Sequence, residues 1–195
     1  TSAPTATDSI EYFIIAEDSV GEAGWNTVSF AISPSSVVLT GAQFPVSGVT
    51  NFFRTIKTYS GNLTIDPLGV ANDTNFLSLT KSNGLFDAIN NGALKGNVTV
   101  SIHQSLDNEN GAVALNEWIE YNGCTVKDSA TYRLRIKPYT TGIEIKGKSA
   151  GAIIKLNGAD RVTIDGRTAT TTSERSFTIK NDSAANNSAV IHLAS

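Results

Sequence analysis

Residues that carry redox, nucleophilic or metal chemistry are scarce in this chain of 195 residues. Cys124 is the only cysteine, so no intrachain disulfide can form and no thiolate metal site can be assembled. It follows a glycine turn and reads either as a reactive thiol or as a small semi-buried residue. The two histidines, His103 and His192, are far apart and neither has a metal-type neighbour spacing. No cofactor motif is present, and no cofactor is expected. Methionine is absent and no signal-peptide pattern opens the chain, which reads as a processed or trimmed N-terminus. Charged residues make up only 17% and the formal net charge is −3. There is no block of Lys and Arg, so a nucleic-acid partner is not expected. No apolar run is long enough to span a bilayer, so an integral membrane protein is not expected either.

What is plentiful is Ser, Thr, Asn, Gly and aliphatic side chains, the composition of β-rich proteins whose turns need Asn and Gly and whose exposed strands favour Thr. Residues 1–60 carry short strand-like runs: IEYFII from Ile10, TVSFAIS at 27–33, SVVLT at 36–40 and NFFRTIKTY at 51–59. Gly- and Pro-bearing turns separate them. They suit a small antiparallel unit, either a truncated sandwich or a cap.

The grammar changes near residue 76. FLSLT leads into SNGLFDAINNG, where Leu85, Phe86 and Ile89 form one apolar stripe on a short helix. Ser82 or Asn83 is its expected N-cap and Gly92 its expected stop. GNVTVSI (96–102) follows as a strand with Val98, Val100 and Ile102 on one face. Strand–helix–strand order favours a right-handed crossover and parallel pairing.

After Tyr132 six short alternating runs appear: LRIKP, IEIKG, AIIKLNG, VTIDG, FTIKN and AVIHLAS. Folded as coils of three, the first three lie under the last three. The Ile136–Ile164, Ile145–Ile179 and Leu156–Leu193 offsets are 28, 34 and 37 residues, the increments coming from longer corner loops. Expected inward pairs are Leu134/Val162, Ile136/Ile164, Ile143/Phe177, Ile145/Ile179, Ile154/Ile191 and Leu156/Leu193. The expected fold is all-β: over residues 61–195, the start of a right-handed parallel β-helix with a short capping helix over its first coil. Because AVIHLAS ends a coil without a cap, further coils of the same polypeptide are expected after Ser195.

The stretches FLSLTKSNGLFDAINNGALKGNVTVSI, GAVALNEWIEYNG, YRLRIKPY and GAIIKLNGADRVTIDG resemble a family of large Bacteroidetes surface proteins that includes gliding-motility adhesins. The resemblance covers about residues 75–195. It implies a parallel β-helix fold, export by the type IX secretion machinery and placement on the outer cell surface or secretion. It implies a non-enzymatic role in adhesion or surface-polysaccharide binding. The C-terminal sorting domain of such cargo is not in the sequence, in keeping with a longer protein. Bacteria of this phylum O-glycosylate Asp-Ser/Thr motifs, and four stand here, at Ser9, Ser19, Ser129 and Ser183. About one such match is expected by chance, and Asp-Ser is also ordinary turn chemistry.

Parallel β-helices also host polysaccharide lyases and glycoside hydrolases, so an enzyme with its site further along the polypeptide is the alternative. The candidate groups are Asp160, Asp165, Glu144 and Lys137, with Lys137 and Asp165 expected to stack as a solvated ion pair. Trp25, in a Gly24–Asn26 turn, and Trp118 are candidate carbohydrate contacts. Leu115 and Ile119 lie at helical spacing from Trp118, which also fits a buried anchor. The Thr-rich stretch from Thr168 to Thr172 is expected to be a corner loop.

Overall fold

The computed structural model describes residues 9–26, 28–48, 51–54, 56–121, 126–128, 131–168 and 175–194. Cys124, Ser129 and most of the Thr168–Thr172 loop lie outside them. The chain divides into two units, Thr1–Ile56 and Lys57–Ser195.

Among its described residues the first unit holds three antiparallel pairs: β1 (Ser9–Tyr12) with β6 (Asn51–Arg54), β2 (Ile15–Glu17) with β3 (Ala23–Trp25), and β4 (Val28–Phe30) with β5 (Val46–Gly48). SVVLT is not a strand. It runs through bends into a 3-10 turn at Gly41–Gln43, and Val37 and Val38 are exposed. β-branched composition favours a strand only where a partner edge and a buried face exist.

The second unit is a parallel β-solenoid of about three right-handed turns. Its strands are β7 (Thr58–Ile65), β8 (Asn75–Phe76), β9 (Ala93–Ile102), β10 (Leu115–Asn116), β11 (Ile119–Tyr121), β12 (Val126–Asp128), β13 (Leu134–Pro138), β14 (Ile143–Gly147), β15 (Ala152–Asn157), β16 (Val162–Ile164), β17 (Phe177–Asn181) and β18 (Ala189–Ala194). The first sheet stacks β8, β7, β9, β13 and β16 in parallel, and Leu63, Val100, Ile136 and Ile164 form one column through it. Leu106, β14 and β17 build the second sheet around the column Leu106, Ile145, Ile179. β10, β15 and β18 build the third around Leu115, Leu156, Leu193. All six expected inward pairs are register partners. GNVTVSI is the expected strand, within β9, with Val98, Val100 and Ile102 buried on one face. Its place in a further coil with Leu106 and β10, and the layer of β7 beneath it, are not apparent from the sequence. Long insertions at 66–74, 107–114 and 117–133 hide the period.

Of FLSLT only Phe76 lies in a strand, the two-residue β8, which pairs with β7 rather than with β9. The short helix α1 (Leu85–Asn90) follows, with Leu85, Phe86 and Ile89 at 0% exposure in the core shared with β7, β9 and β10. Each such side chain contributes about 1.5–3 kcal/mol on burial. Its N-cap is Gly84, without a side-chain cap, and not Ser82 or Asn83. Asn83 instead donates its backbone N–H to Asp87 Oδ2, at 2.8 Å. A side chain cannot stand at 84, because a Cβ would lie 2.8 Å from the Ser78 and Lys81 carbonyl oxygens. Gly92 likewise serves close packing rather than a left-handed stop: a Cβ there would meet Lys57 O and the Tyr59 ring at 2.7 Å. Asn90 fixes the helix to the third sheet, donating to Ala114 O (2.7 Å) and accepting from Asn116 N–H (2.9 Å).

A buried carboxylate ties the segment before α1 to the coils. Glu109, 1% exposed, accepts from Ser78 Oγ (2.6 Å), Leu79 N–H (3.1 Å), Thr80 N–H (2.8 Å) and Thr80 Oγ1 (2.5 Å). Four donors offset the desolvation that a lone buried charge would suffer. The Glu109 N–H in turn bonds Lys146 O (3.0 Å), so one residue joins the cap segment to β14.

Candidate functional site

In a parallel ladder the residue after each strand lies above its counterpart in the coil below. Ile102 pairs with Pro138, which places His103 against Tyr139. Their rings stack, with centroids 4.1 Å apart and planes at 15°. His103 is half-buried and Tyr139 is 41% exposed. Beside His103 lies an open cleft of about 620 Å³, walled by Leu68, Gln104, Ser105, Asp107, Thr140 and Thr141.

Two turns hold its walls. In the 66–74 loop, Asp66 Oδ1 accepts from Leu68 N–H, and Asn72 Oδ1 accepts from Thr74 and Asn75 N–H, at 2.8–3.1 Å. That self-bonded loop holds Leu68 and Val70 out at 82% exposure each. On the other side Gly142, at φ +75°, donates to Ser176 Oγ (2.8 Å), and Ser105 Oγ accepts from Glu144 N–H (3.0 Å). Hydroxyls, one side-chain amide, one carboxylate and an apolar wall beside an aromatic stack make a surface suited to sugar rings, which offer both C–H faces and hydroxyls.

The other candidates fall elsewhere. Trp118 is 1% exposed, with its Nε1 unpartnered, so it is a core residue and no carbohydrate platform. Nor is it helical: it lies outside any helix or strand, between β10 and β11. The Leu115–Ile119 spacing arises because one apolar residue closes the third sheet and the next opens a new strand. Trp25 ends β3 opposite Ile15, half-buried, with Phe30 edge-on at 5.3 Å.

Asp165 does not pair with Lys137. Arg167 takes it at 3.0 Å and Arg135 approaches to 3.9 Å. The Arg167 side-chain hydrogen bond, reinforced by its backbone N–H and charge, holds the Asp165 carboxyl down to about 2 against desolvation. Column position alone predicts Lys137, yet the guanidinium two residues along from Asp165 forms a forked pair that a point charge cannot match. Glu144 belongs to the second sheet, with Lys146 Nζ at 4.0 Å, and Lys146 also reaches Asp107 at 3.2 Å. Asp160 is exposed. Thus the structure does not bring the four candidate acid and base groups together. Among the described residues no group of three His, Cys, Asp or Glu could hold a metal ion.

Of the Asp-Ser motifs, Ser19 is exposed on a turn whose Asp18 Oδ1 accepts from Val20 and Glu22 N–H. Ser183 is half-buried, its Oγ accepting from Ala185 N–H (3.2 Å). Ser9 is the first residue of β1.

No protein-family model, curated protein or solved structure matches the chain. No described helix is long and apolar enough to cross a membrane. The His103–Tyr139 stack was missed by the sequence reading. Its signal is the residue directly after each first-sheet strand, in VSIH and IKPY, readable only once that register is known.

Proposed function

We propose that this chain is part of a non-enzymatic, exported surface protein of the Bacteroidetes adhesin type, carried by type IX secretion to the cell exterior, and that it holds polysaccharide in the cleft beside His103. The observation that carries the ligand class is the cleft wall itself, where His103, its ring stacked at 4.1 Å on the half-exposed Tyr139, stands with Gln104, Ser105, Thr140 and Thr141. The resemblance over residues 75–195 supports the surface address. Exposed Ser19 is better placed than half-buried Ser183 to carry a glycan.

Affinity electrophoresis against a panel of neutral polysaccharides tests the ligand class. The chain is retarded by at least one of them, and Tyr139→Ala, which removes the ring that His103 stacks on, weakens that binding about tenfold. Mobility unchanged on every gel, or retardation indifferent to Tyr139→Ala, removes the proposal.

A further inference from the structure

We infer that the arginines entering the first-sheet strands of the upper two coils form a second site, for an anionic polysaccharide bearing carboxylate or sulfate groups. Five of the six arginines in the chain (Arg133, Arg135, Arg161, Arg167 and Arg175) fall within one short stretch, although the whole chain carries net charge −3. The solenoid gathers them. Leu134 pairs with Val162 and donates its N–H to Arg161 O, so Arg133 and Arg161 enter neighbouring strands one above the other. Arg135 lies between Thr99 below and Thr163 above. Arg133, Arg135 and Lys137 alternate with inward Leu134, Ile136 and Pro138, which sets a cation about every 7 Å along one outer face. A shallow groove of about 260 Å³ runs there, lined by Asn97, Val98, Thr99, Arg133, Arg135 and Thr163.

Internal ion pairing does not account for this arrangement. Asp165 engages Arg167 closely and Arg135 only at 3.9 Å. Among the described residues, Arg133 and Arg161 make no ion pair, and both are exposed. Stacking like charges in adjacent strands is unfavourable without an anion between them. Arg161 also holds φ at +55°, the left-handed region that non-glycine side chains seldom adopt.

Guanidinium forks match carboxylate and sulfate oxygens bidentately. The neighbouring groove residues offer what a sugar hydroxyl needs: an amide at Asn97 and hydroxyls at Thr99 and Thr163. None of the described residues lining this groove is aromatic, so bases would find no stacking surface there.

Affinity electrophoresis of the full 195-residue chain against heparin, polygalacturonate and neutral dextran at about 0.15 M salt tests the site. The expected result is retardation by heparin or polygalacturonate that weakens at least about tenfold in the triple variant Arg133→Gln/Arg135→Gln/Arg161→Gln. An unchanged circular dichroism spectrum and thermal midpoint show that the variant folds. Cleft and strip are separable, since Tyr139→Ala leaves the heparin or polygalacturonate result intact and the arginine variant leaves neutral-glycan binding intact. No retardation by either anionic polymer, retardation that survives the triple variant, or equally tight binding of single-stranded DNA at matched charge overturns the inference.

Discussion

Ile136 and Ile164 are register partners in one sheet, each at the centre of a short alternating run, LRIKP and VTIDG. Ile136 is 1% exposed, while Ile164 is only half-buried. The contrast widens around the coil. Ile154 is 1% exposed and its partner Ile191 is 41% exposed. Whether a side chain points inward is set by the two-residue period of its own strand. How deeply it is buried is set by the coils on either side of it. The second coil has β9, Leu106 and β10 on one side and the third coil on the other. Solenoid stability is therefore a sum of neighbour interfaces rather than one shared core.

The sharpest way to break the comparison is at Gly147 and its column partner Asn181. A Cβ on Gly147 would stand 1.6 Å from the Glu109 carbonyl oxygen, a backbone atom held by the Glu109 clamp. Gly147→Ala therefore destabilises by about 3 kcal/mol, the upper end for overpacking, because the obstacle is not a flexible side chain. Asn181 occupies the same column one coil up. There its amide group donates to Ser149 O, Gly151 O and Ala189 O and accepts from Ser149 and Ser183 N–H. Asn181→Ala loses about 1–2 kcal/mol, since half-exposed partners can turn to water. Urea midpoints at constant slope measure both. Equal losses would mean that the lower and upper interfaces do not differ.

Truncating the paired isoleucines reads the same contrast in the core. Ile136→Ala leaves a cavity enclosed by coils on both sides and costs about 3 kcal/mol; Ile164→Ala opens toward solvent and costs roughly 1 kcal/mol. The check is again chemical unfolding. A single shared core would give similar values.

The columns were legible because Leu, Ile, Val and Phe recur at alternate positions in two successive triplets of short runs, although the offsets differ, and a solenoid needs nothing more than like residues to stack. The same logic made α1 legible, since Leu85, Phe86 and Ile89 share a helical stripe that the open coil end has to bury. What stayed hidden depends on contacts across long insertions. Glu109 meets Ser78, Leu79 and Thr80 some thirty residues away, and no local pattern marks a carboxylate that will accept four bonds. Trp118 looked helical because two unrelated strands happen to flank it. His103 and Tyr139 are unremarkable as letters and become a pair only through the Ile102–Pro138 register.

The smallest expected effect separates the coils by electrostatics rather than burial. Asp165 belongs to the third coil, and its side chain is 10% exposed between Arg167 and Arg135, which are each about half open to water. Its folded pKa, about 2, lies below the ordinary 3.8, chiefly through the Arg167 hydrogen bond. Between those values the unfolded chain binds more protons than the folded one, so stability rises with pH across that window. The contribution is fully present above about pH 4 and is lost as pH falls toward 2. With both guanidiniums solvated, it amounts to less than about 1 kcal/mol at neutral pH. Asp165→Asn should therefore lower the thermal midpoint slightly at pH 7, and the gap between variant and parent should close on titration to pH 2. The parallel experiment at Asp160, which is exposed and forms no ion pair among the described residues, should show no gap at either pH. An Asp165→Asn gap that persists at pH 2 would mean that the carboxyl acts through packing, and the third coil would then resemble the second after all.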